Sequence, residues 1–247
     1  MRMKSVLVFS LKGGVGKTTT AVNLAHASAT SSRRRTLLWD LDSQAAATWL
    51  LRRSGAPGTK ARTAVADGRL ADLVIDSDTP GLRLLPADRS LRRLEGDLAA
   101  ADQAKQLRRL LKSLEDETDR LIIDAPPGLS TLADRLFRAV DLILLPVPPA
   151  PLPARSAEQL RAELVRLPGG GPPVLPFWSM VDRRRRLHRE MVATAPDWPL
   201  VPASALVEAM TERRLPLAAF APTTPPALAF ARLWSAVERA LLKGGGG

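Results

Sequence analysis

Short apolar runs alternate with longer segments of helical periodicity along most of the chain. The apolar runs predict buried strands at residues 5–10, 36–40, 82–87, 120–126, 141–147 and 173–179. The intervening segments predict helices at residues 18–32, 100–117, 131–140 and 154–167. Alternation of this kind is typical of a mainly parallel sheet covered by helices on both faces. We therefore expect an α/β fold with a single doubly wound domain over residues 1–243.

A few segments fall outside this alternation. Residues 52–69 predict a loop or a loosely structured excursion, and residues 167–176 predict a turn that leads into a strand. The glycines at 244–247 predict a flexible tail. The apolar run near the start is too short for a signal peptide and predicts a first strand. Longer apolar stretches are interrupted by proline or charge, so we expect no transmembrane helix.

Composition and charge narrow the classes of function. The 247 residues carry 36 basic and 25 acidic side chains, a formal net charge of +11, which favours a polyanionic partner such as nucleic acid. Aromatic residues make up only 4% and tyrosine is absent, which argues against single-strand binding by base stacking. The absence of cysteine excludes disulfides, thiolate metal sites and cysteine nucleophiles, and two histidines leave little for a metal centre.

The stretch LKGGVGKTT at residues 11–19 is similar to a phosphate-binding loop but departs from the usual pattern G-x-x-x-x-G-K-S/T. Leu11 stands where that pattern has its first glycine, and Lys12 follows it. The loop lies between a predicted strand and a predicted helix, which is the context that a phosphate cradle requires. Its backbone N–H groups, from Gly13, Gly14, Val15 and Gly16, are expected to point at phosphate oxygens.

Side chains at the end of the loop and at two strand ends supply the chemistry. Lys17 is expected to reach the terminal phosphates, Thr18 to bind Mg²⁺ and Thr19 to bond the first phosphate. Three carboxylates follow predicted strands, where parallel strands bring side chains to one edge of the sheet. Asp124 is expected in the shell of the metal ion, and Asp40 and Asp42 are expected within reach of the terminal phosphate.

The chain resembles the ParA/MinD family of P-loop ATPases, whose deviant loop K-G-G-x-G-K-S/T corresponds to Lys12 through Thr18. The segments DLDSQAAATW, IIDAPPGLS and SMVDRRRRLHRE continue the resemblance over nearly the whole chain. The resemblance implies ATP and Mg²⁺ as cofactors and a homodimer that sandwiches ATP. It implies that Lys12 reaches the ATP bound by the partner subunit and that Asp42 positions the attacking water. It also implies that Asp40 supports the switch segment and the shell of the metal ion.

The same resemblance leaves parts of the site open. Ser43 stands where the family usually has proline, so the geometry of this switch segment is in doubt. The base is expected near Val201 and Pro202 or near Ser179 and Met180, where some relatives carry asparagine.

Arginine clusters in the last third of the chain are candidates for non-specific contacts with double-stranded DNA. The candidates are Arg183, Arg184, Arg185, Arg186, Arg189, Arg213 and Arg214. The alternatives are a role at the nucleotide site or dimer interface, or a solvated surface. A further arginine cluster at residues 33–35 precedes the second strand and is interpreted as solvent-exposed residues that contribute to solubility.

Three functions remain in competition. The first is a cytoplasmic, nucleoid-associated positioning ATPase with slow basal hydrolysis, stimulated by a protein on its cargo. The chain begins close to its first strand, so we expect no N-terminal helix-turn-helix. The second is a MinD-like membrane switch, for which residues 227–243 offer an amphipathic helix that equally suits packing on the sheet. The third is a small ATP-dependent metabolic synthetase.

Overall fold

The computed structural model describes residues 2–52, 60–93, 103–167 and 170–243. Its β-strands form one sheet in the order β3-β4-β2-β5-β1-β6-β7-β8, and every neighbouring pair is parallel except β3 with β4. The strands are β1 (Lys4–Val8), β2 (Thr36–Asp40), β3 (Ile75–Asp76), β4 (Leu82–Leu85), β5 (Arg120–Asp124), β6 (Leu142–Val147), β7 (Val174–Val181) and β8 (Leu200–Pro202).

The α-helices connect these strands and cover the sheet. They are α1 (Lys17–Thr30), α2 (Ala46–Leu51), α3 (Ala61–Ala66), α4 (Gln103–Lys112), α5 (Thr131–Phe137), α6 (Pro151–Val165), α7 (Arg186–Ala193), α8 (Ala205–Arg213), α9 (Leu217–Phe220) and α10 (Pro225–Lys243). Short 3₁₀ turns occur at Leu70–Leu73, Arg89–Arg93 and Glu115–Glu117.

Apolar side chains of the central strands point alternately to two cores, one on each face of the sheet. Leu7 and Phe9 belong to the core covered by α3, α4, α5 and α6, whereas Val6 and Val8 belong to the core covered by α1, α2 and α10. This alternation follows from the period of two in a strand. It confirms the predicted α/β sheet with helices on both faces.

All six predicted strands are present, and the sequence pattern missed β3 and β8. These two strands have two and three residues and lie at the edges of the sheet, so they carry too few apolar positions to give a pattern.

The prediction of a loop over residues 52–69 is wrong for α3. Its Ala61, Ala64 and Val65 are buried in the core, and the Asp88 carboxylate accepts the Ala61 N–H at 2.8 Å. These tertiary contacts stabilise a helix too short to be evident from periodicity. Residues 53–59, the start of the predicted helix at 100–102, residues 168–169 of the predicted turn and the glycine tail at 244–247 lie outside the described residues.

The last helix, α10, packs its apolar face on the sheet. Its Phe230, Leu233, Trp234, Val237 and Leu241 are all buried in the core. The apolar spacing that also suited a membrane anchor is therefore explained by packing against the sheet. Among the described residues, no helix combines the length and the apolar character needed to cross a lipid bilayer.

Candidate nucleotide-binding site

Strand register brings the loop and two carboxylates to one edge of the sheet. Val8, the last residue of β1, is paired with Asp124 of β5, and Asp124 is paired with Asp40 of β2. All three strands are parallel, so their carboxyl ends meet where the chain leaves β1 for α1. This edge is where open α/β sheets bind ligands.

The glycine loop forms an open cradle at the start of α1. Gly14 and Gly16 have φ angles of 71° and 89°, in the left-handed region that glycine adopts without strain. A Cβ atom added at Gly13, Gly14 or Gly16 meets nothing within 4 Å, so the space above the loop is empty. The glycines at 14 and 16 are therefore required by the backbone conformation rather than by crowding.

Lys17 is buried inside the loop. It is 7% exposed, and its Nζ donates to the backbone oxygen of Lys12 at 3.4 Å. Burial lowers the pKa of Lys17, while the charges of Asp124 and Asp42 act in the opposite direction. A phosphate in the cradle would supply the counter-charge that favours the ammonium form.

Lys12 contrasts with Lys17 because its side chain is exposed. Its backbone N–H donates to Ser10 Oγ at 3.2 Å, which fixes the loop at this point. Within the described residues, the Lys12 ammonium has no hydrogen bond or ion pair. The role of Lys12 toward a partner subunit stays a prediction, and its exposure is the condition that this role requires.

Asp124 is buried, and neither carboxylate oxygen has a hydrogen bond of ordinary geometry. Burial, followed by the charge of Asp40, raises the pKa of Asp124, while the nearby Thr18 hydroxyl and then the charge of Lys17 oppose the shift without cancelling it. An unpaired carboxylate in the interior is unfavourable. Its chemistry fits a Mg²⁺ ion, which commonly takes only one or two protein carboxylates together with phosphate oxygens. Among the described residues, no group of three or more acidic, histidine or cysteine side chains could hold a metal ion without other ligands.

Asp40 is fully buried and committed to protein contacts. One oxygen accepts the N–H and the Oγ1–H of Thr48 at 2.8 and 2.7 Å, and the other accepts the Asp42 N–H at 3.1 Å. These hydrogen bonds hold the first turn of α2 and the backbone of Asp42 in place. The role of Asp40 in the shell of the metal ion stays a prediction.

Asp42 lies at the wall of the cavity above the glycine loop. Its Oδ1 accepts the Gln44 N–H at 2.9 Å, and Ala45 has a left-handed φ of 54°. Ser43 also lines the cavity in the position where the family pattern has proline. The loop is thus shaped by carboxylate–backbone hydrogen bonds, which replace part of the rigidity that a proline ring supplies.

The cavity has a volume of about 790 Å³ and extends from the glycine loop to β7, β8 and α8. This volume is in the usual range for small-molecule sites. Pro202, Ser179 and Met180 line it, and the position of the base near them stays a prediction. Met180 has a left-handed φ of 57° at an irregularity in the β7–β8 pairing, and the buried Ser179 hydroxyl has no hydrogen-bond partner.

Several residues that line this cavity were not found from the sequence. They are Thr20, Gln44, Pro126, Pro127, Phe177, Ala203, Ser204, Val207, Glu208, Thr211 and Phe230. They belong to loops, to α8 or to buried positions, so their composition carries no site signal. Phe230 is a clear example, because its helical spacing identifies it only as an apolar residue.

The basic segment after β7 is a tight turn followed by α7. Arg184 pairs with Asp182 at 2.9 Å, and Arg186 pairs with Glu190 at 2.6 Å. The Arg184 contacts lower the pKa of Asp182 to about 2. Arg189 donates from Nη1 to the backbone oxygens of Arg183 and Arg184, both at 2.9 Å. These contacts use part of the predicted DNA-binding cluster to build the turn.

Two arginines of this turn have a different environment. In the part of the chain that the structure describes, the guanidinium groups of Arg183 and Arg185 have no hydrogen bond or ion pair, and both side chains are exposed. A guanidinium group without a protein partner can bind a phosphate without first breaking an ion pair. Within the turn, Arg183 and Arg185 are therefore the better candidates for anion contacts.

The two arginines of the second predicted cluster, Arg213 and Arg214, also differ in their contacts. Arg213 lies over the ring of Phe220 at 5.0 Å, whereas Arg214 lies over the ring of Trp49 at 4.9 Å. Arg214 also donates from Nε to the Trp49 backbone oxygen at 2.8 Å. Its guanidinium group thus has protein partners, and its predicted DNA contact stays a prediction. Arg35 of the earlier cluster also pairs with a carboxylate, Asp119, at 2.9 Å, so it is more than a soluble loop residue.

This geometry defines the class of P-loop nucleotide-binding proteins. Comparison with known proteins then identifies the family. The family described as AAA domain matches residues 3–167. A ParA family protein of Chlamydia muridarum is 30% identical over 201 residues, covering 77% of this chain and 78% of the relative. The chain belongs to the ParA/MinD family of P-loop ATPases, which confirms the resemblance stated from the motifs.

Other relatives differ in length or are similar in fold alone. The chromosome partitioning protein ParA of Myxococcus xanthus is 37% identical over 145 residues, which cover 58% of this chain and 51% of the relative, so the chain spans about half its length. An ATP complex of a Cyanothece McdA variant has a TM-score of 0.79 at 22% identity and covers 97% and 96% of the two chains. The septum site-determining protein MinD of Pyrococcus horikoshii, with Mg-ADP, has a TM-score of 0.79 at 21% identity and covers 99% and 100%.

Proposed function

We propose that this protein is an ATP-dependent dimerising switch that binds double-stranded DNA without sequence preference and positions a cargo. The observation that carries the proposal is the pair of lysines in one loop, with Lys17 buried in the cradle and Lys12 exposed beside it. The first serves the nucleotide bound by the same chain, and the second is free to contact a nucleotide bound by another copy. The relatives named for chromosome partitioning support this role.

The bound nucleotide in this proposal is ATP with Mg²⁺. The cradle of residues 13–16, with Lys17 and Thr19, binds the phosphates, and Thr18 with Asp124 holds the metal ion, which neutralises phosphate charge when bound. Asp42 orients the attacking water, and Asp40 keeps the Asp42 loop in shape. The base lies at the end of the cavity formed by Pro202 and its neighbours. Residues 1–243 form the ATPase domain in this proposal.

Dimerisation connects the nucleotide state to DNA. When ATP is bound, Lys12 of each subunit contacts the terminal phosphate held by the other, so hydrolysis removes an interaction that joins the subunits. A dimer presents two copies of Arg183 and Arg185, which doubles the number of phosphates bound and raises the affinity for DNA. Hydrolysis is slow until a protein on the cargo stimulates it, and release follows. The protein is then cytoplasmic and associated with the nucleoid.

The proposal is tested by titrating a non-specific duplex at two salt concentrations with ATP, with ADP and without nucleotide. We expect ATP-dependent, salt-sensitive binding for the native chain. The variant with Arg183→Ala and Arg185→Ala should bind less tightly. Its slope of log K against log salt should be shallower by about 0.9 for each DNA phosphate that the protein no longer neutralises.

The matched control for this pair carries Arg161→Ala and Arg232→Ala, two exposed arginines on α6 and α10. It has the same change in charge at positions outside the turn, so the salt slope should stay near that of the native chain. Equally weakened binding in both variants would show that net charge alone accounts for the binding. No DNA binding in any nucleotide state would contradict the proposed partner and move anionic vesicles to the next test.

The metal role of Asp124 gives a separate prediction. Asp124→Asn removes the cost of burying this carboxyl group, so the nucleotide-free protein should unfold at a Tm several degrees higher, because about 1 kcal/mol corresponds to roughly 2–4 °C in a chain of this size. The same variant should lose most of the Mg²⁺ dependence of ATP binding. The measurements are differential scanning fluorimetry and ATP titrations with Mg²⁺ or EDTA. A variant that keeps the native Mg²⁺ dependence would contradict the assignment.

A further inference from the structure

A side-chain contact joins the base end of the cavity to the loop that carries Asp42. Helix α8 lines the cavity with Val207, Glu208 and Thr211. It ends at Arg213, and the next residue, Arg214, has a left-handed φ of 53° while its N–H donates to the Met210 backbone oxygen. The Arg214 side chain therefore leaves from the end of a helix that also borders the nucleotide cavity.

The Arg214 guanidinium group reaches the end of α2. It donates from Nε to the Trp49 backbone oxygen at 2.8 Å and from Nη2 to the Arg52 backbone oxygen. It also stacks over the Trp49 ring, which is itself 51% exposed. The last carbonyl groups of a helix lack partners within the helix, and an arginine there satisfies them and interacts favourably with the helix dipole.

Helix α2 is fixed at its other end to the Asp42 loop. Its Thr48 donates twice to Asp40, and the same carboxyl group accepts the Asp42 N–H. Thr48 Oγ1 also accepts the Ala87 N–H at 2.8 Å, which ties α2 to the end of β4. The six residues of α2 are too few to be stable alone, so these end contacts determine its position.

We propose that Arg214 is a positioning residue that connects the base end of the cavity to Asp42 through α2. The inference rests on the proposed function, because it concerns the same site. Helix α8 borders the bound base and, through Arg214 and α2, sets the geometry of the loop that carries Asp42. The path consists of α8, the Arg214 fork, α2, the Thr48–Asp40 hydrogen bonds and the Asp42 backbone. Displacement of a catalytic group by about 1 Å can reduce a rate a hundredfold.

The test uses Arg214→Gly in the full chain, because glycine accepts the left-handed backbone and the change removes only the side chain. We expect basal ATP hydrolysis to fall about tenfold or more, while the affinity for ATP changes by less than about threefold. Amide hydrogen exchange at residues 48–52 should become faster, because the end of α2 is no longer held by the guanidinium group. Arg214→Lys keeps one donor and should recover part of the rate.

The control is Arg213→Ala, the neighbouring arginine that contacts Phe220 rather than α2. It should leave hydrolysis and exchange at residues 48–52 near native values. Native hydrolysis and native exchange in Arg214→Gly would overturn the proposal, and abolished DNA binding with native hydrolysis would identify Arg214 as a DNA contact instead. If the native chain hydrolyses no ATP, the proposed function fails. The exchange measurement is independent of hydrolysis, so native exchange at residues 48–52 in Arg214→Gly would still overturn the contact between Arg214 and α2.

Discussion

Replacing Lys12 by glutamine is expected to abolish ATP-dependent dimers while ATP binding by each subunit stays within about threefold of native. The Lys12 side chain is exposed and contributes only backbone atoms to its own loop, so its removal should not disturb the cradle. A two-fold dimer contains two copies of each contact. A penalty of about 2 kcal/mol for each missing lysine–phosphate interaction would raise the dimer Kd by roughly a thousandfold.

Dimerisation is measured by light scattering after size exclusion with a non-hydrolysable ATP analogue, and binding by a fluorescent nucleotide. Lys112→Gln is the matched control, since Lys112 is an exposed lysine at the end of α4. It should form dimers like the native chain. Undiminished dimers in Lys12→Gln would overturn the role in trans and leave Lys12 as a solvated loop residue. Abolished nucleotide binding would instead place the Lys12 side chain in its own subunit's cradle.

Replacing Asp42 by alanine is expected to reduce ATP hydrolysis by about 10²–10⁴-fold and to accumulate an ATP-bound dimer. The carboxylate lies at the cavity wall, where it is placed to orient or accept a proton from water. Its Oδ1 also holds the Gln44 N–H, so alanine changes both the chemistry and the loop. Single-turnover phosphate release and light scattering measure the two outcomes.

The variant Asp42→Asn separates these two contributions. Asparagine keeps a carbonyl oxygen that can accept the Gln44 N–H, but it is not a base. We expect hydrolysis in Asp42→Asn to be nearly as slow as in Asp42→Ala. Native hydrolysis in the asparagine variant would show that Asp42 acts through loop shape alone, and native hydrolysis in both variants would reject the assignment.

Local patterns in the sequence were sufficient for the fold and for the phosphate end of the site. The buried strands β1, β2 and β5 each have a continuous apolar run, and parallel pairing then places Asp40 and Asp124 in register beside the glycine loop. The loop itself could be identified because left-handed backbone at residues 14 and 16 requires glycine. The apolar runs and the glycine positions depend only on residues that are close along the chain, so they can be recognised in a single sequence.

The function of individual polar residues could not be read in the same way. Asp40 and Asp124 have the same position at the end of a strand, yet the structure gives hydrogen bonds of ordinary geometry to both oxygens of Asp40 and to neither oxygen of Asp124. The difference arises because Thr48 in α2, the helix that follows β2, donates two hydrogen bonds to Asp40. The sequence pattern does not predict this contact.

The sequence by itself determined the family, the positions of the main strands along the chain and the phosphate-binding loop, because short motifs and local periodicity are properties of neighbouring residues. Tertiary structure alone decided which arginines are committed to the protein and which face solvent. Arg214 and Trp49 are separated by 165 positions along the chain, and the fold brings them into contact. An arginine side chain satisfies carbonyl groups as readily as phosphates, so its partner is set by what the fold places within reach.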